Sequence, residues 1–577
     1  MENSEIADIL EEISRILEFK GENTFRIRAY QRAAQAIEST PERIEDLWRQ
    51  DKSAIKDIPD IGESMAEKIG ALLSNGKIEQ YEKLKREVPS GLIDMMSLEG
   101  LGPKKLKKIC DKLDIRTLNQ LKAACQKGKL RDIPGLGQKT EENILDAMGE
   151  FETYKDRFKL SDADSIANSI VKFLKKETDV GRIEIAGSLR RGKETIGDID
   201  ILFTARNKKQ RDKTMDALTH YTGIKRVLVH GEAKTSVVLK SNLHIDLRSI
   251  EKNSFGAASI YFTGSKAHNI ALRKLALSEN YKVNEYGVFK GKKRLAGKTE
   301  EGVYKRLGLS FIPPELREAR GEIEKSREDK LPKLIKLSSI KGDLQMHTRA
   351  TDGKNTIKEM AETAKSLGYQ YIAITDHSKA VRVAGGLNEK DLAKHFEEID
   401  RANEAIKDLT ILKGIEVDIL NDGTLDLKDD ILKDADVVMA AVHSRFKMSE
   451  EKMTERILRA FDNTYVNCFA HPTGRLIGIR KPYQVNIERI LRAAKDRNIA
   501  VEINSQLARL DLNDIHTKLA KEIGALIAVN TDAHSTVQLE NMRFGVITAR
   551  RGWLEKKDVI NTYSLLDLRK FLFKRRG

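Results

Sequence analysis

The sequence predicts a multidomain protein with an α-helical amino-terminal region, an α+β central part and a carboxyl-terminal distorted α/β barrel. Three observations predict it. A glycine-turn pattern recurs three times before residue 150. A strand pattern carrying Asp198 and Asp200 follows a Gly187-Ser188 turn, and Asp246 lies in a second such pattern. Beyond Tyr371, apolar runs alternate with helical stretches and end in histidine or acidic residues. A chain of 577 residues is also too long for one core and divides into three to five domains.

The repeats read Ile58-Pro59-Asp60-Ile61-Gly62, Ser97-Leu98-Glu99-Gly100-Leu101-Gly102 and Ile133-Pro134-Gly135-Leu136-Gly137. An isoleucine follows the last glycine of each by seven residues: Ile69, Ile109 and Ile144. Glycine permits a tight hairpin between two short helices. The second helix then presents free backbone N–H groups, a ready phosphate site. Lys104, Lys105, Lys107 and Lys108 follow the second repeat and strengthen it, whereas Asp60 replaces a glycine in the first.

In the central part, carboxylates at i and i+2 of a strand point to one face, which joins Asp198 and Asp200. Asp246 lies in the alternating run from Val237 to Ile250 and is placed beside them. Three carboxylates on one face repel unless divalent cations neutralise them, and such hard oxygen ligands suit Mg2+ or Mn2+. Gly187 and Ser188 offer a turn amide and a hydroxyl to a phosphate, with Arg191 as a fixed cation. This is the equipment for a two-metal in-line displacement at a nucleotide's phosphates.

From Glu318 to Lys336 the chain is highly charged and reads as a helical linker. Beyond it, Tyr371–Ile374 leads to Asp376-His377, and Leu409–Leu412 leads to Glu416 and Asp418. Val437–Val442 leads to His443, Cys468–Ala470 to His471, and Leu526–Val529 to Asp532 and His534. Polar residues at successive strand ends describe an α/β barrel with its site at the carboxyl face of the strands.

Composition agrees with a partner of negative charge. The net charge is +15, from 103 basic against 88 acidic residues, which favours polyanions and makes their binding salt-sensitive. Cys110, Cys125 and Cys468 have no paired spacing, which argues against a disulfide framework and for a reducing cytoplasm. The acidic start Met1-Glu2-Asn3-Ser4-Glu5 is unlike a signal peptide, and no apolar run reaches membrane-spanning length.

The central residues, with Tyr261-Phe262-Thr263-Gly264-Ser265, His268-Asn269, Arg273 and Asn284-Glu285-Tyr286-Gly287, resemble the family X DNA polymerases, the class of DNA polymerase beta. That resemblance implies that Asp198 and Asp200 hold both metals. It implies that Asp246 joins at the metal that lowers the pKa of the primer 3′-hydroxyl. Ser188, Arg191 and Gly197 would grip the triphosphate beside Gly187. Tyr261, Phe262 and Gly264 would line the sugar pocket, Asn269 would touch the incoming base and Arg273 the template. The family's arginine two residues before the third aspartate is His244 here. The repeats resemble helix-hairpin-helix elements, with Gly62, Gly100, Gly102, Gly135 and Gly137 as DNA-backbone contacts.

Phe25 to Ala34 and Gly62 to Ile69 resemble the small lyase domain of that polymerase. Lys68 would then form a Schiff base with an abasic sugar, with Arg26 and Arg32 nearby; Ser64 replaces the family's second lysine. The segment opening Gly342-Asp343-Leu344-Gln345-Met346-His347 resembles a polymerase and histidinol phosphatase (PHP) domain. Its implied metal ligands are His347, His377, Glu416, His443, His471, Asp532 and His534, with Asp352 a further candidate, holding Mn2+ or Zn2+. The family's usual His-x-His begins here with Gln345.

The implied domains are 1–85 (lyase-like), 86–150 (helix-hairpin-helix fingers), 151–250 (palm), 251–317 (thumb), 318–338 (linker) and 339–577 (PHP). The expected function is filling of short gaps in base excision repair, with 3′-to-5′ exonuclease and abasic-site endonuclease activity from the barrel. Gapped or nicked DNA and deoxynucleoside triphosphates are the expected partners, and a monomer is expected. The alternative is a repair nuclease whose polymerase half mainly positions DNA.

Overall fold

The computed structural model describes residues 3–38, 44–58, 61–96, 98, 101–154 and 157–576. The chain forms two compact units. The first is built from the helices between Asn3 and Tyr154, the second from the elements beginning at Phe158. Among the described residues, no helix is long and apolar enough to cross a membrane.

In the first unit, helix Asn3–Lys20 buries Ile6, Leu10, Ile13 and Leu17, a single stripe at helical spacing. It packs against helix Thr24–Glu38, which contributes Tyr30, Ala33, Ala34 and Ile37. The three repeats adopt one local geometry. In each, a backbone N–H reaches back three residues: Ile61 to Ile58, Leu101 to Leu98 and Leu136 to Ile133, at 3.1, 3.2 and 2.9 Å. A helix then begins directly after the last glycine, at Glu63, Pro103 and Gln138. Ile69, Ile109 and Ile144 are all fully buried, which explains their shared spacing. Gly100 lies outside the described residues.

The second unit starts with a two-stranded sheet of β1 (Phe158–Lys159) and β3 (Thr195–Ile196). Strands β2 (Ile183–Ile185), β4 (Asp198–Phe203), β5 (Ile224–His230), β6 (Lys234–Leu239) and β7 (His244–Ser249) form a five-stranded sheet in the order β2-β4-β7-β6-β5. The run from Val237 to Ile250 is therefore two antiparallel strands, because the chain turns between Leu239 and His244. Helices Phe255–Thr263, Lys266–Ser278 and Glu300–Arg306 surround a three-stranded sheet of β8 (Lys282–Asn284), β9 (Gly287–Lys290) and β10 (Lys293–Ala296).

The expected charged linker is helical only over Glu322–Arg327. Most of its charged side chains are exposed, but one face is packed. Glu322 is fully buried and pairs with buried His268 at 2.6 Å.

The barrel is a seven-stranded parallel sheet in chain order: β11 (Gly342–Asp343), β12 (Tyr371–Ile374), β13 (Thr410–Asp418), β14 (Val437–Ala441), β15 (Cys468–Phe469), β16 (Ala500–Asn504) and β17 (Ile527–Asn530). A parallel bridge between Met346 and Ala533 brings the two ends together, so the barrel is nearly closed. Every strand of the sheet is buried along its length apart from Thr410 and Lys413, as parallel strands flanked by helices require.

The shared role of the buried isoleucines predicts that Ile109→Ala will destabilise the helical unit by about 2–5 kcal/mol. Urea denaturation followed by far-UV circular dichroism measures it. A change below about 0.5 kcal/mol would show that Ile109 is not a core position.

Candidate active sites

The first site is assembled by strand register. β4 and β7 run parallel, with Asp198 opposite His244 and Asp200 opposite Asp246. Gly187 crosses this face with φ +67°, and a Cβ built there would lie 2.9 Å from an Asp200 oxygen. Only glycine satisfies both conditions. Asp198 is exposed. Burial, then the neighbouring Asp198 charge, push the Asp200 carboxyl up to about 7, against the pull of Arg248. Burial would raise Asp246 as well, but hydrogen bonds from Lys234 and Ser236 outweigh it and hold Asp246 below the usual carboxylate range. Ser236 donates to Asp246 at 2.6 Å, Lys234 Nζ lies 2.6 Å from it, and Arg248 donates at 2.9 Å.

Lys234, on the adjacent strand β6, is one of two cations that reach Asp246, with Arg248. A lysine in a strand reads from sequence as a solvated position, so only the register of β6 against β7 reveals it.

Around this face, Arg191 donates to the Thr263 carbonyl and pairs with Glu318 at 3.0 Å. Gly197 lines an open polar cavity with Asp198, Arg157 and His244. Tyr261, Asn269 and Arg273 line a separate cleft with Ala257, Leu272 and Asn284. Asn269 donates to the Tyr261 carbonyl at 2.7 Å, and Arg273 to that of Asn269 at 3.2 Å. Phe262 lies under the Arg248 guanidinium at 4.5 Å, and Gly264 ends the helix Phe255–Thr263.

In the barrel, all eight candidate ligands converge. The buried Glu416 carboxylate lies 2.9 Å from His377, 2.9 Å from His471, 3.5 Å from His443 and 3.6 Å from His347. Asp532 sits 3.0 Å from His347, and Asp352 lies 3.4 Å from His534 and 3.6 Å from His377. Two sets of side chains can each hold one ion: His347, Asp352, His377 and His534, and His377, Glu416 and His443. Burial would lower His377, but Glu416 outweighs it and raises the imidazole to about 9.

The donor set fits a metal centre on a further ground. Both ring nitrogens of His347, both amide atoms of Gln345, one Glu416 oxygen and Nδ1 of His471 are buried with no hydrogen-bond partner. Such a concentration of orphaned polar atoms in one place is costly unless a ligand satisfies them.

Several residues support these candidate ligands, and the sequence pattern assigned none of them a role. Asp418 accepts from the His443 backbone at 3.0 Å and faces its Nδ1 at 3.3 Å, leaving Nε2 directed at Glu416. Asp376 accepts from both Thr348 groups and from Thr351, and pairs with buried His395 at 2.9 Å, which ties down the loop after His347. Glu502, on the unanticipated strand β16, accepts from the His471 backbone at 2.7 Å and from Asn530 at 2.9 Å. Asp376 and Asp418 stand at strand ends in the sequence pattern, whereas the signal for Glu502 is a charge inside the apolar run Ala500–Ile503.

Comparison with known proteins places these sites in a lineage. The chain is 38% identical over 576 residues to the DNA polymerase/3′-5′ exonuclease PolX of Bacillus subtilis, covering 99% of each. The chain belongs to the family X DNA polymerases. Within this family X chain, models of a helix-hairpin-helix domain, a SAM-like helix-hairpin-helix tandem, the DNA polymerase beta thumb and the PHP domain match residues 1–78, 92–150, 258–318 and 343–506. The PHP match ends before Asp532 and His534. A probable phosphatase of Thermoanaerobacter sp. strain X514 is 32% identical over 231 residues, 38% of this polymerase and 89% of the phosphatase. One from Acetivibrio thermocellus is 29% identical over 206 residues, 34% of this chain and 80% of its own.

The close approach of Gly187 to Asp200 gives a direct prediction. Gly187→Ala forces either the left-handed turn or the carboxylate to move, at about 1–2 kcal/mol for the backbone alone. Nucleotide addition by this polymerase should fall at least about tenfold in kcat/KM while barrel hydrolysis is kept. Primer extension and Mn2+-dependent primer shortening, measured on one preparation, test it; equal loss of both would mean general misfolding.

Proposed function

We propose that this family X polymerase fills short gaps in DNA during base excision repair, and that its barrel is a separate 3′-to-5′ exonuclease with abasic-site endonuclease activity. The pairing of Asp200 with Asp246 beside the Gly187-Ser188 turn carries this reading. The proposed cofactors are Mg2+ or Mn2+ at Asp198, Asp200 and Asp246. In the barrel they are Mn2+ or Zn2+ at His347, Asp352, His377, Glu416, His443, His471, Asp532 and His534. Bound divalent cations would neutralise charge at the reacting phosphates and, in the barrel, supply an activated water.

The chain's own residues do the rest. Ser188, Arg191 and Gly197 hold the triphosphate, and Tyr261, Phe262 and Gly264 bound the sugar. Asn269 meets the base and Arg273 the template. Lys234 and Arg248 hold Asp246 ionised until cations arrive. Asp418 fixes the His443 tautomer, so that Nε2 faces the reaction.

Gly62, Gly100, Gly102, Gly135 and Gly137 hold the DNA backbone without reading sequence. Lys68 is the proposed Schiff-base amine of a 5′-deoxyribose-phosphate lyase. Its Nζ lies 3.2 Å from Ser64 Oγ and 5.2 Å from the Tyr30 ring centre. The substrates are gapped or nicked DNA and deoxynucleoside triphosphates, and the enzyme works as a cytoplasmic monomer.

A one-nucleotide-gapped duplex with a 5′-phosphate tests the two activities together. Extension lost only in Asp198→Ala/Asp200→Ala, and Mn2+-dependent shortening lost only in His443→Ala, are the expected results. Wild-type protein that shortens but never extends would replace this reading with a nuclease that merely positions DNA. Borohydride with a 5′-deoxyribose-phosphate end should trap wild type and not Lys68→Ala.

The buried amide of Gln345 makes a second prediction. A neutral glutamine is a weaker ligand than imidazole, so Gln345→His should raise Mn2+ affinity about tenfold. Titration calorimetry and metal content after dialysis measure it without reference to turnover. An unchanged isotherm would remove Gln345 from the metal centre.

A further inference from the structure

We propose that Arg551, on the barrel helix Met542–Arg551, is a positioning residue for the nucleotide-binding arginine of the palm, Arg191. The proposal rests on the reading of Arg191 as a triphosphate contact.

Arg551 is 3% exposed. One of its nitrogens donates to the Arg191 backbone carbonyl at 2.6 Å and to Glu318 at 3.1 Å. The other reaches Asp514 at 2.5 Å. The same Glu318 oxygen receives Arg191 Nε at 3.0 Å. Arg551 therefore holds both the main chain of Arg191 and the carboxylate that holds its side chain.

A separate observation points the same way. Gly192, the next residue, has φ +65°, and a Cβ there would lie 2.2 Å from Ile547 of the same barrel helix. The turn that follows Ser188 is thus moulded against the barrel half. Gly192 is required twice, by the left-handed turn itself and by the close approach of Ile547.

Charge completes the argument. Arg320 pairs with Asp514 at 3.1 Å, and Lys193 lies within the electrostatic reach of Glu318, Asp514, Arg320 and Arg551. Four cations (Arg191, Lys193, Arg320, Arg551) face two carboxylates (Glu318, Asp514). The cluster keeps an excess of two positive charges next to the proposed triphosphate subsite. A polyanion is what such an excess recognises.

Arg551 acts by sharing Glu318. With Arg551 in place, the carboxylate divides its attraction, and Arg191 can exchange Glu318 for a phosphate oxygen. Without it, Glu318 binds Arg191 alone and the main chain of the turn loses its anchor. Nucleotide affinity then falls although no catalytic group has changed.

The test is steady-state kinetics of the full chain. Arg551→Ala should raise KM for the deoxynucleoside triphosphate on the order of tenfold, with kcat within about twofold. Mn2+-dependent primer shortening should be unaltered. Arg551→Lys, which keeps one charge but cannot reach three partners, should give an intermediate KM and guards against a fold that tolerates no alanine. Arg543→Ala is the control. It breaks the half-exposed pair Arg543–Asp164, 2.8 Å apart, between the same two parts of the chain. Its KM should be that of wild type.

An unchanged KM in both Arg551 variants would overturn the proposal. So would equal shifts in Arg551→Ala and Arg543→Ala, since general loosening would then suffice. An Arg191→Ala variant with wild-type KM would instead remove the footing, because Arg191 would not be a nucleotide contact at all.

Discussion

A carboxylate cannot be buried alone, and that constraint organises both sites. Glu416 is 1% exposed, and its desolvation would be prohibitive without opposite charge or metal around it. The barrel solves this by delivering His377, His443, His471 and His347 from four different strands or strand ends to within 3.6 Å. An imidazole is a neutral ligand once it surrenders a proton, so His377, raised to about 9 beside Glu416, can neutralise that carboxylate when protonated and release it to a cation when not. The central sheet solves the problem differently. There the partners are permanent charges, Lys234 and Arg248, on strands hydrogen-bonded to one another. They keep Asp246 ionised while leaving Asp200, which is raised to about 7, and exposed Asp198 for other cations.

How legible each site was follows from which of its parts depend on local pattern. Asp198 and Asp200 stand two apart on one strand, so their common face follows from strand geometry alone. The strand ends carrying His377, His443, His471 and His534 were readable because each follows a short apolar run. Strand β16 was missed because Glu502 and Asn504 interrupt such a run and no histidine ends it. The run from Val237 to Ile250 divides at Lys240-Ser241-Asn242, a polar stretch between Leu239 and Leu243 that marks the turn. Pairing of Asp200 with Asp246 depends on register between strands far apart in sequence, and that of Lys234 with Asp246 on the register of the hairpin β6-β7. The stretch from Glu318 reads as a highly charged helical linker, yet Glu318 and Glu322 pair with Arg191, Arg551 and His268, partners that become neighbours only in the folded chain.

Two ligand positions also carry backbone strain that a sequence does not announce. His471 has φ +28° and Asp532 φ +51°, both in the left-handed region. Each costs about 1–2 kcal/mol for a residue with a side chain. The surroundings hold them there. The His471 N–H donates to Glu502, and the Asp532 N–H to the Gln345 carbonyl at 3.0 Å. Glu502 is buried, and burial raises its carboxyl well above the usual range even with these bonds. The fold thus gives up stability at Glu502, His471 and Asp532 together, and what it gains is one arrangement of ligand atoms around Glu416.

The glycines separate requirements of the fold from requirements imposed from outside it. At Gly187 a side chain would meet Asp200 at 2.9 Å, and at Gly192 it would meet Ile547 at 2.2 Å. Those two are demanded by the chain itself. Gly62 and Gly102 have φ of −74° and −65°, and a Cβ at either would touch nothing within 4 Å. Alanine would fit both positions sterically, but each glycine is the N-cap of the helix that follows, where glycine is preferred over alanine. Glycine there serves the helix start, and it also leaves the backbone N–H groups that open each following helix uncovered, as the phosphate contact proposed for Gly62 and Gly102 requires. At Gly187 and Gly192 the chain itself fills the space a side chain would need, whereas at Gly62 and Gly102 that space is open.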